Sequence, residues 1–136
     1  MKVVLDDGAK IPTRAHPWDA GLDLYSRNSR TIDGFGCATF DTGVHIEIPE
    51  GYVGFIKSKS GLMVNHNLTA DGTIDAHYTG SIRVKLFNHG PIVYEVKAGD
   101  KIAQLVIVKC ELPGLELVDS LEETDRGACG FGSTGK

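Results

Sequence analysis

Cysteine, basic residues, long apolar runs and helical periodicity are all scarce in this chain. Its three cysteines, Cys37, Cys110 and Cys129, are odd in number and form no CxxC pair. That excludes a disulfide framework and a zinc site of the usual spacing, and it fits a reducing compartment. Fourteen Lys and Arg against eighteen Asp and Glu leave a net charge of −4. Affinity for polyanions comes mainly from cations, so a generic nucleic-acid binder is excluded. Any anion must be met by a few local charges, backbone N–H groups or a metal. No apolar run reaches the ~18 residues of a membrane span, and Met1 to Asp6 lacks the apolar stretch of a secretion signal. A cytoplasmic protein with no membrane partner is expected. The 136 residues leave room for one domain of the usual ~100–150 residues, and none for a nucleotide domain plus a substrate domain.

What is present is an ordinary globular balance, 41% hydrophobic and 24% charged, which excludes wholesale disorder. Glycine is in excess: 17 residues, above the roughly 7% of average usage, and without the period of a collagen. Short apolar–polar alternations separated by turn residues dominate. Val44 to Ile48 alternates with period two, Pro49-Glu50-Gly51 turns, and Tyr52 to Ile56 reads as the return strand of a hairpin. Ile82 to Leu86 alternates again. Ile92 to Val96, a Lys97–Asp100 turn and Ile102 to Val108 read as another hairpin, whose last strand is apolar enough to be buried on both faces. The one helical candidate is short, with Ser60 placed to cap a turn or two through Leu62, Met63 and Asn65. The spacing predicts an all-β sandwich, barrel or jelly roll. Residues 1–124 read as the β domain. Residues 125–136, rich in glycine and without bulky aliphatics, read as a flexible tail.

Several clusters carry chemical meaning. Gly130 to Lys136 satisfies GxxxxGK, but a P-loop must follow a strand and open a helix, with Ser or Thr after the Lys. What survives is a glycine-rich run whose N–H groups can converge on an anion, with Ser133, Thr134 and Arg126 as further donors; a solvated tail is the alternative. Gly72 to Gly80 is a compact polar–aromatic cluster in which Asp75 is either a general base or a turn cap, and Tyr78 either stacks on a ring or packs on the core. Lys57 to Leu62 sets two cations and two hydroxyls before the helix start: a phosphate contact or a solvated loop. The five histidines have neither HxxxH nor HExxH spacing, and the His45-Ile46-Glu47 match to a deaminase half-motif has no PCxxC partner.

Taken together, these segments resemble the trimeric deoxyuridine triphosphatase (dUTPase) family. Five motifs stand in the family's order: Asp19 to Ser26; Lys59-Ser60-Gly61-Leu62; Gly72 to Gly80, continuing to Leu86-Phe87-Asn88; Gly99 to Leu105; and Arg126 with Gly130 to Gly135. The resemblance implies a distorted jelly-roll or β-clip barrel with one short helix. It implies hydrolysis of dUTP to dUMP and pyrophosphate, which keeps uracil out of DNA and supplies dUMP for thymidylate synthesis.

By the same resemblance, Asp75 orients and deprotonates the water that attacks the α-phosphorus. Tyr78 packs under the deoxyribose. The backbone of a hairpin through Gly72, Thr73 and Ile74 reads the uracil edge, with Asn65 as a helper. Lys59, Ser60, Gly61 and Gln104 meet the α/β-phosphate region. Arg126, Ser133 and Thr134 hold the β- and γ-phosphates, with Phe131 stacked over uracil and Gly132 between them, while Asp23 supports the site. Mg²⁺ is held by triphosphate oxygens and water, without a direct protein ligand. Three chains form a homotrimer with active sites between subunits.

The chain departs from the family pattern in three places: Lys59 stands where Arg is usual, His77 where an acidic or polar residue is usual, and Cys129 where a small or polar residue is usual. Two alternatives share the fold. A dCTP deaminase needs a catalytic Glu and an Ala-Arg pair near the second motif, where this chain reads Ser58-Lys59-Ser60-Gly61. A nucleotide-dependent module that binds a regulatory protein such as a repressor is the other, for a virus-encoded chain acting in its host's cytoplasm.

Overall fold

The computed structural model describes residues 1–130. The expected contacts of Phe131, Gly132, Ser133 and Thr134 lie outside the described residues. Along the chain run β1 (Val3–Leu5), β2 (Gly21–Tyr25), β3 (Arg30–Ile32), β4 (Cys37–Asp41), β5 (Val44–Ile46), β6 (Tyr52–Lys57), α1 (Ser60–His66), β7 (Leu68–Thr69), β8 (Asp71–Ile74), β9 (Arg83–Asn88), β10 (Tyr94–Val96) and β11 (Lys101–Lys109). The strands form four sheets, ordered β1-β5, β10-β3, β2-β11-β6-β8 and β4-β9-β7. The architecture is jelly-roll-like. Among the described residues the sheets do not close into a hydrogen-bonded barrel, because β2 and β8 end the largest sheet without meeting.

The period-two segments are strands, but neither expected hairpin forms. β5 pairs with β1 and β6 with β11 and β8; β10 pairs with β3, while β11 lies between β2 and β6. Each pair of neighbouring strands is divided between two sheets, so that both sheets can turn an apolar face to one core. In β4 and β9 the alternation is direct: Ala38 and Phe40 face inward opposite Leu86 and Val84, while Thr39, Arg83 and Lys85 face out. The central strand β11 buries Ile102, Ala103 and Leu105, each large aliphatic side chain contributing about 1.5–3 kcal/mol. Its outer half, Ile107 to Lys109, is less covered than its apolar run suggests.

Helix α1 begins at Ser60, but Ser60 is not its cap. Lys59 holds the N-cap position in extended backbone with no side-chain capping bond, and Asn67 ends the helix at φ 56°. From Glu111 to Gly130 there is no strand or helix and every residue is exposed, Leu112, Leu115, Leu117 and Leu121 included. All three cysteines are free. Among the described residues no helix is long and apolar enough to cross a membrane.

Candidate functional site

The first part of the site grows from one cross-strand row. Gln104 on β11 lies opposite Asp23 on β2 and Lys57 on β6. A register irregularity between Lys101 and Ala103 reorients the strand just before that row, and Lys101 reaches back to Asp23. Two residues beyond Lys57, the chain enters α1 through Lys59. Asp23 is buried, and each of its oxygens meets one ammonium: Lys59 Nζ at 2.5 Å on Oδ1 and Lys101 Nζ at 2.7 Å on Oδ2. Burial alone would raise the Asp23 pKa. The two lysine hydrogen bonds and charges outweigh it, and the carboxyl is held below its ordinary value. The Lys101 ammonium is held above its own, chiefly by the hydrogen bond to Asp23.

Gln104 donates to the Ser58 carbonyl at 3.1 Å, and its side chain lies across Gly21. A Cβ at position 21 would come within 2.9 Å of Gln104 Cδ, so glycine there is what allows the amide its place. Asp23, Lys59, Gln104, Gly21 and Asp19 share a cleft of about 320 Å³. It presents one ammonium, Lys59, and the Gln104 amide, with the Asp23 charge compensated by Lys59 and Lys101 and a second carboxylate, Asp19, at its edge. Ser60 and Gly61 are exposed at the mouth of the helix.

The second part is the turn after β8. Gly72, Thr73 and Ile74 pair with Ile56, Phe55 and Gly54 of β6. The chain then crosses to β9 in another sheet, so the expected hairpin is instead a strand followed by a loop between sheets. Tyr78 N–H closes the turn on the Asp75 carbonyl at 3.3 Å, and His77 takes a left-handed φ of 66°. That conformation is uncommon outside glycine. It aims Tyr78 back across Gly80, where a Cβ would come within 2.5 Å of the ring carbon Cζ. Tyr78 remains 45% exposed, and its hydroxyl donates to the Ser81 carbonyl at 3.1 Å. Asp75 is exposed on a cleft of about 380 Å³ shared with Tyr52, His77 and Cys110.

The two parts lie at opposite ends of β6. Ile74 sits opposite Gly54, whereas Lys59 lies five residues further along. At about 3.3 Å per residue, Asp75 and Lys59 of one chain are roughly 20 Å apart. Asn65 lies with neither, in a separate cleft of mixed polar and apolar lining beside His66, Asn88, Ile92 and Tyr94. Arg126 is exposed and donates to the Cys129 carbonyl at 3.3 Å. Lys101 is the residue that pattern reading missed. It stands within the Gly99–Leu105 motif, but only the folded geometry, with Lys101 Nζ 2.7 Å from Asp23 Oδ2, shows that it shares Asp23 with Lys59.

A dUTPase family model matches residues 7–135. The chain is 43% identical over 132 residues to the probable deoxyuridine 5'-triphosphate nucleotidohydrolase of Schizosaccharomyces pombe, covering 96% of this chain and 94% of that one. It is 44% identical over 135 residues to the corresponding protein of Rhodococcus erythropolis, covering 96% and 82%. Among solved structures, the dUTPase of Staphylococcus bacteriophage 80alpha with dUPNHPP matches with a TM-score of 0.92 and 32% identity, over 99% of this chain and 98% of that one. A mutant dUTPase of phage phi11, described with a structural Mg(II) ion, matches with a TM-score of 0.83 and 31% identity, over 90% and 98%. A match that spans nearly the whole chain, in sequence and in fold alike, shows that this chain belongs to the dUTPase family.

Proposed function

We propose that the chain hydrolyses dUTP to dUMP and pyrophosphate, with Asp75 as the general base for water attack on the α-phosphorus. The observation that carries this reading is the division of the site along β6. The Lys59–Gln104 cleft lies at one end of β6 and the exposed carboxylate–aromatic turn at the other, roughly 20 Å apart along the backbone at about 3.3 Å per residue, a spacing that favours a site shared between chains. In this reading each chain supplies two partial sites, and a complete site forms between chains of a homotrimer. The exposed Leu112, Leu115, Leu117 and Leu121 supply apolar surface that such an assembly would cover.

In the complete site Lys59, Ser60, Gly61 and Gln104 receive the α/β-phosphates. The β8 backbone at Gly72, Thr73 and Ile74 reads the uracil edge; Asn65, set in its own cleft in the single chain, could help only from another chain of the assembly. Tyr78 packs on the deoxyribose, leaving no room for a 2′-hydroxyl. Arg126 and residues 131–134 of the tail, 125–136, close over the triphosphate and fix the in-line geometry of attack. Holding the water and the phosphate in register is most of the catalytic task, and the base adds on the order of 10²–10⁴-fold.

The donor set also bears on Mg²⁺. Among the described residues no group of three or more His, Cys, Asp and Glu is placed to hold a metal ion, and both oxygens of Asp23 face lysines. These residues fit an ion that would arrive on the triphosphate with its own water, as Mg²⁺ prefers, while Asp23 supports the site by holding Lys59 and Lys101 in place. Bound there, Mg²⁺ would neutralise triphosphate charge. Such an enzyme would act in the cytoplasm, keeping uracil out of DNA and supplying dUMP.

Pyrophosphate release from dUTP with Mg²⁺ tests the reading, with Asp75→Asn as the control. We expect turnover to fall by several orders of magnitude, on the scale of a lost general base, and wild-type activity to prefer dUTP over dCTP, dTTP and UTP. Equal hydrolysis of all four, or an unchanged Asp75→Asn, refutes it. Mixing Asp75→Asn chains with Lys59→Met chains should restore activity that neither has alone. No recovery in verified mixed trimers would refute the placement of sites between chains.

A further inference from the structure

The turn carrying Asp75 and Tyr78 is tied to the rest of the chain by a ring of polar contacts. Tyr78 OH donates to the Ser81 carbonyl, and Ser81 Oγ donates to Asp41 Oδ1 at 2.5 Å. The other Asp41 oxygen faces Arg27 Nη2 at 3.8 Å, and Arg27 Nη1 donates to Asp6 Oδ2 at 3.0 Å. Asp6 Oδ1 lies 3.2 Å from His45 Nε2, and His45 Nδ1 lies 2.8 Å from the Thr79 carbonyl. The ring therefore closes on the residue between Tyr78 and Gly80.

His45 is the link whose chemistry can change. Both of its partners, a carboxylate and a carbonyl, are acceptors. Only the imidazolium has two N–H groups to give them; neutral imidazole has one, and its other nitrogen turns a lone pair toward an acceptor. We propose that His45 is a positioning residue whose protonated ring anchors Thr79, and with it the neighbouring Tyr78 ring, so that dUTP binding weakens as His45 loses its proton. This rests on the reading of Asp75 and Tyr78 as parts of a dUTP site.

The surroundings agree with the protonated form. The His45 pKa is raised above 6.5, first by the Thr79 carbonyl and then by Asp6, against some desolvation; Asp41 adds a smaller favourable charge. Asp41 is itself held below the ordinary carboxylate value, chiefly by the Ser81 hydroxyl, and so stays charged while His45 titrates. Arg27 is occupied by Asp6 and Asp41, and Arg83 on β9 faces Asp41 at 3.9 Å. Lys2 and Glu47, which share a cleft with His45, pair with each other at 3.0 Å. A raised folded pKa means that the anchoring is complete at low pH and is lost as pH rises through that value.

The experiment follows KM and kcat for dUTP in the wild-type trimer and in His45→Gln between about pH 6 and 9, spanning the histidine range. Ionisation of dUTP affects both proteins alike, so the wild-type/variant ratio isolates His45. The KM ratio should rise with pH by about two- to tenfold, the worth of one hydrogen bond, while the kcat ratio stays flat. A ratio constant across the range overturns the proposal. In parallel, the backbone amides of Tyr78, Thr79 and Gly80 should titrate by NMR with the His45 midpoint in the wild type and not in His45→Gln; amides that ignore it overturn the tether. Asp6→Asn, a second variant, should lower the His45 midpoint, and an unmoved midpoint counts against the ring. A wild type that releases no pyrophosphate would defeat the reading of the site, while the amide titration would still decide the tether.

Discussion

Replacing Gly80 with alanine isolates what Tyr78 does. The new Cβ would come within 2.5 Å of Tyr78 Cζ, so the ring must swing away, while position 80 has no left-handed φ to forbid alanine. Tyr78 is 45% exposed in the single chain. A tyrosine buries roughly 200 Å² when fully covered, so about 90 Å² is free, and one ring face presents about 45 Å² to a sugar. At ~25 cal/mol per Å² this contact is worth about 1.1 kcal/mol, or roughly sixfold in affinity.

Stability should barely move. The lost Tyr78–Ser81 hydrogen bond costs about 0.5–1.5 kcal/mol, and the stiffer unfolded chain returns about 0.4–1 kcal/mol. The net change, below about 1 kcal/mol, shifts Tm by less than about 6 °C. The assay is steady-state hydrolysis of dUTP and UTP beside a thermal melt at fixed protein concentration. We expect KM for dUTP to rise about sixfold and the preference over UTP to fall. An unchanged KM would show that Tyr78 does not touch the sugar. A Tm loss above about 10 °C would show that Gly80 serves the backbone instead.

Gly21→Ala should displace the Gln104 amide in the same way, breaking its bond to Ser58 and raising KM for dUTP while leaving the far turn intact; an unchanged KM would remove Gln104 from the phosphate cleft. Asp23→Asn removes the charge between two ammonium groups and should cost on the order of 1.5–3 kcal/mol near neutrality. Because the folded Asp23 pKa lies below 3.8, that stability is fully present above the unfolded pKa and is lost as pH falls through the folded value. The gap between wild type and variant in urea unfolding should be flat above about pH 5 and should narrow at lower pH. A gap unchanged at about pH 2 would refute an ionised Asp23 as its source.

Much of the strand content was legible. Val44–Ile48, Ile82–Leu86 and Ile102–Val108 alternate or run apolar because one or both faces must meet a core, and that requirement is local. Pairing was not legible. Pro49-Glu50-Gly51 looks like a hairpin turn between β5 and β6, yet those strands belong to different sheets. A turn signal reports that the chain reverses, not which edge is free to receive it.

By itself, the order of residues determined the strand faces, the lack of a disulfide framework, and the identity of groups such as Asp75, Tyr78, Lys59 and Gln104, because side-chain chemistry and period-two exposure are properties of short segments. Only the tertiary structure decided that Lys101 shares Asp23 with Lys59, that His45 holds Thr79 from a strand 34 residues away, and that Asp75 and Lys59 stand at opposite ends of β6. Those facts depend on strand register across four sheets. Register is set by the packing of the whole core, and a linear pattern carries no record of which edges that packing brings together.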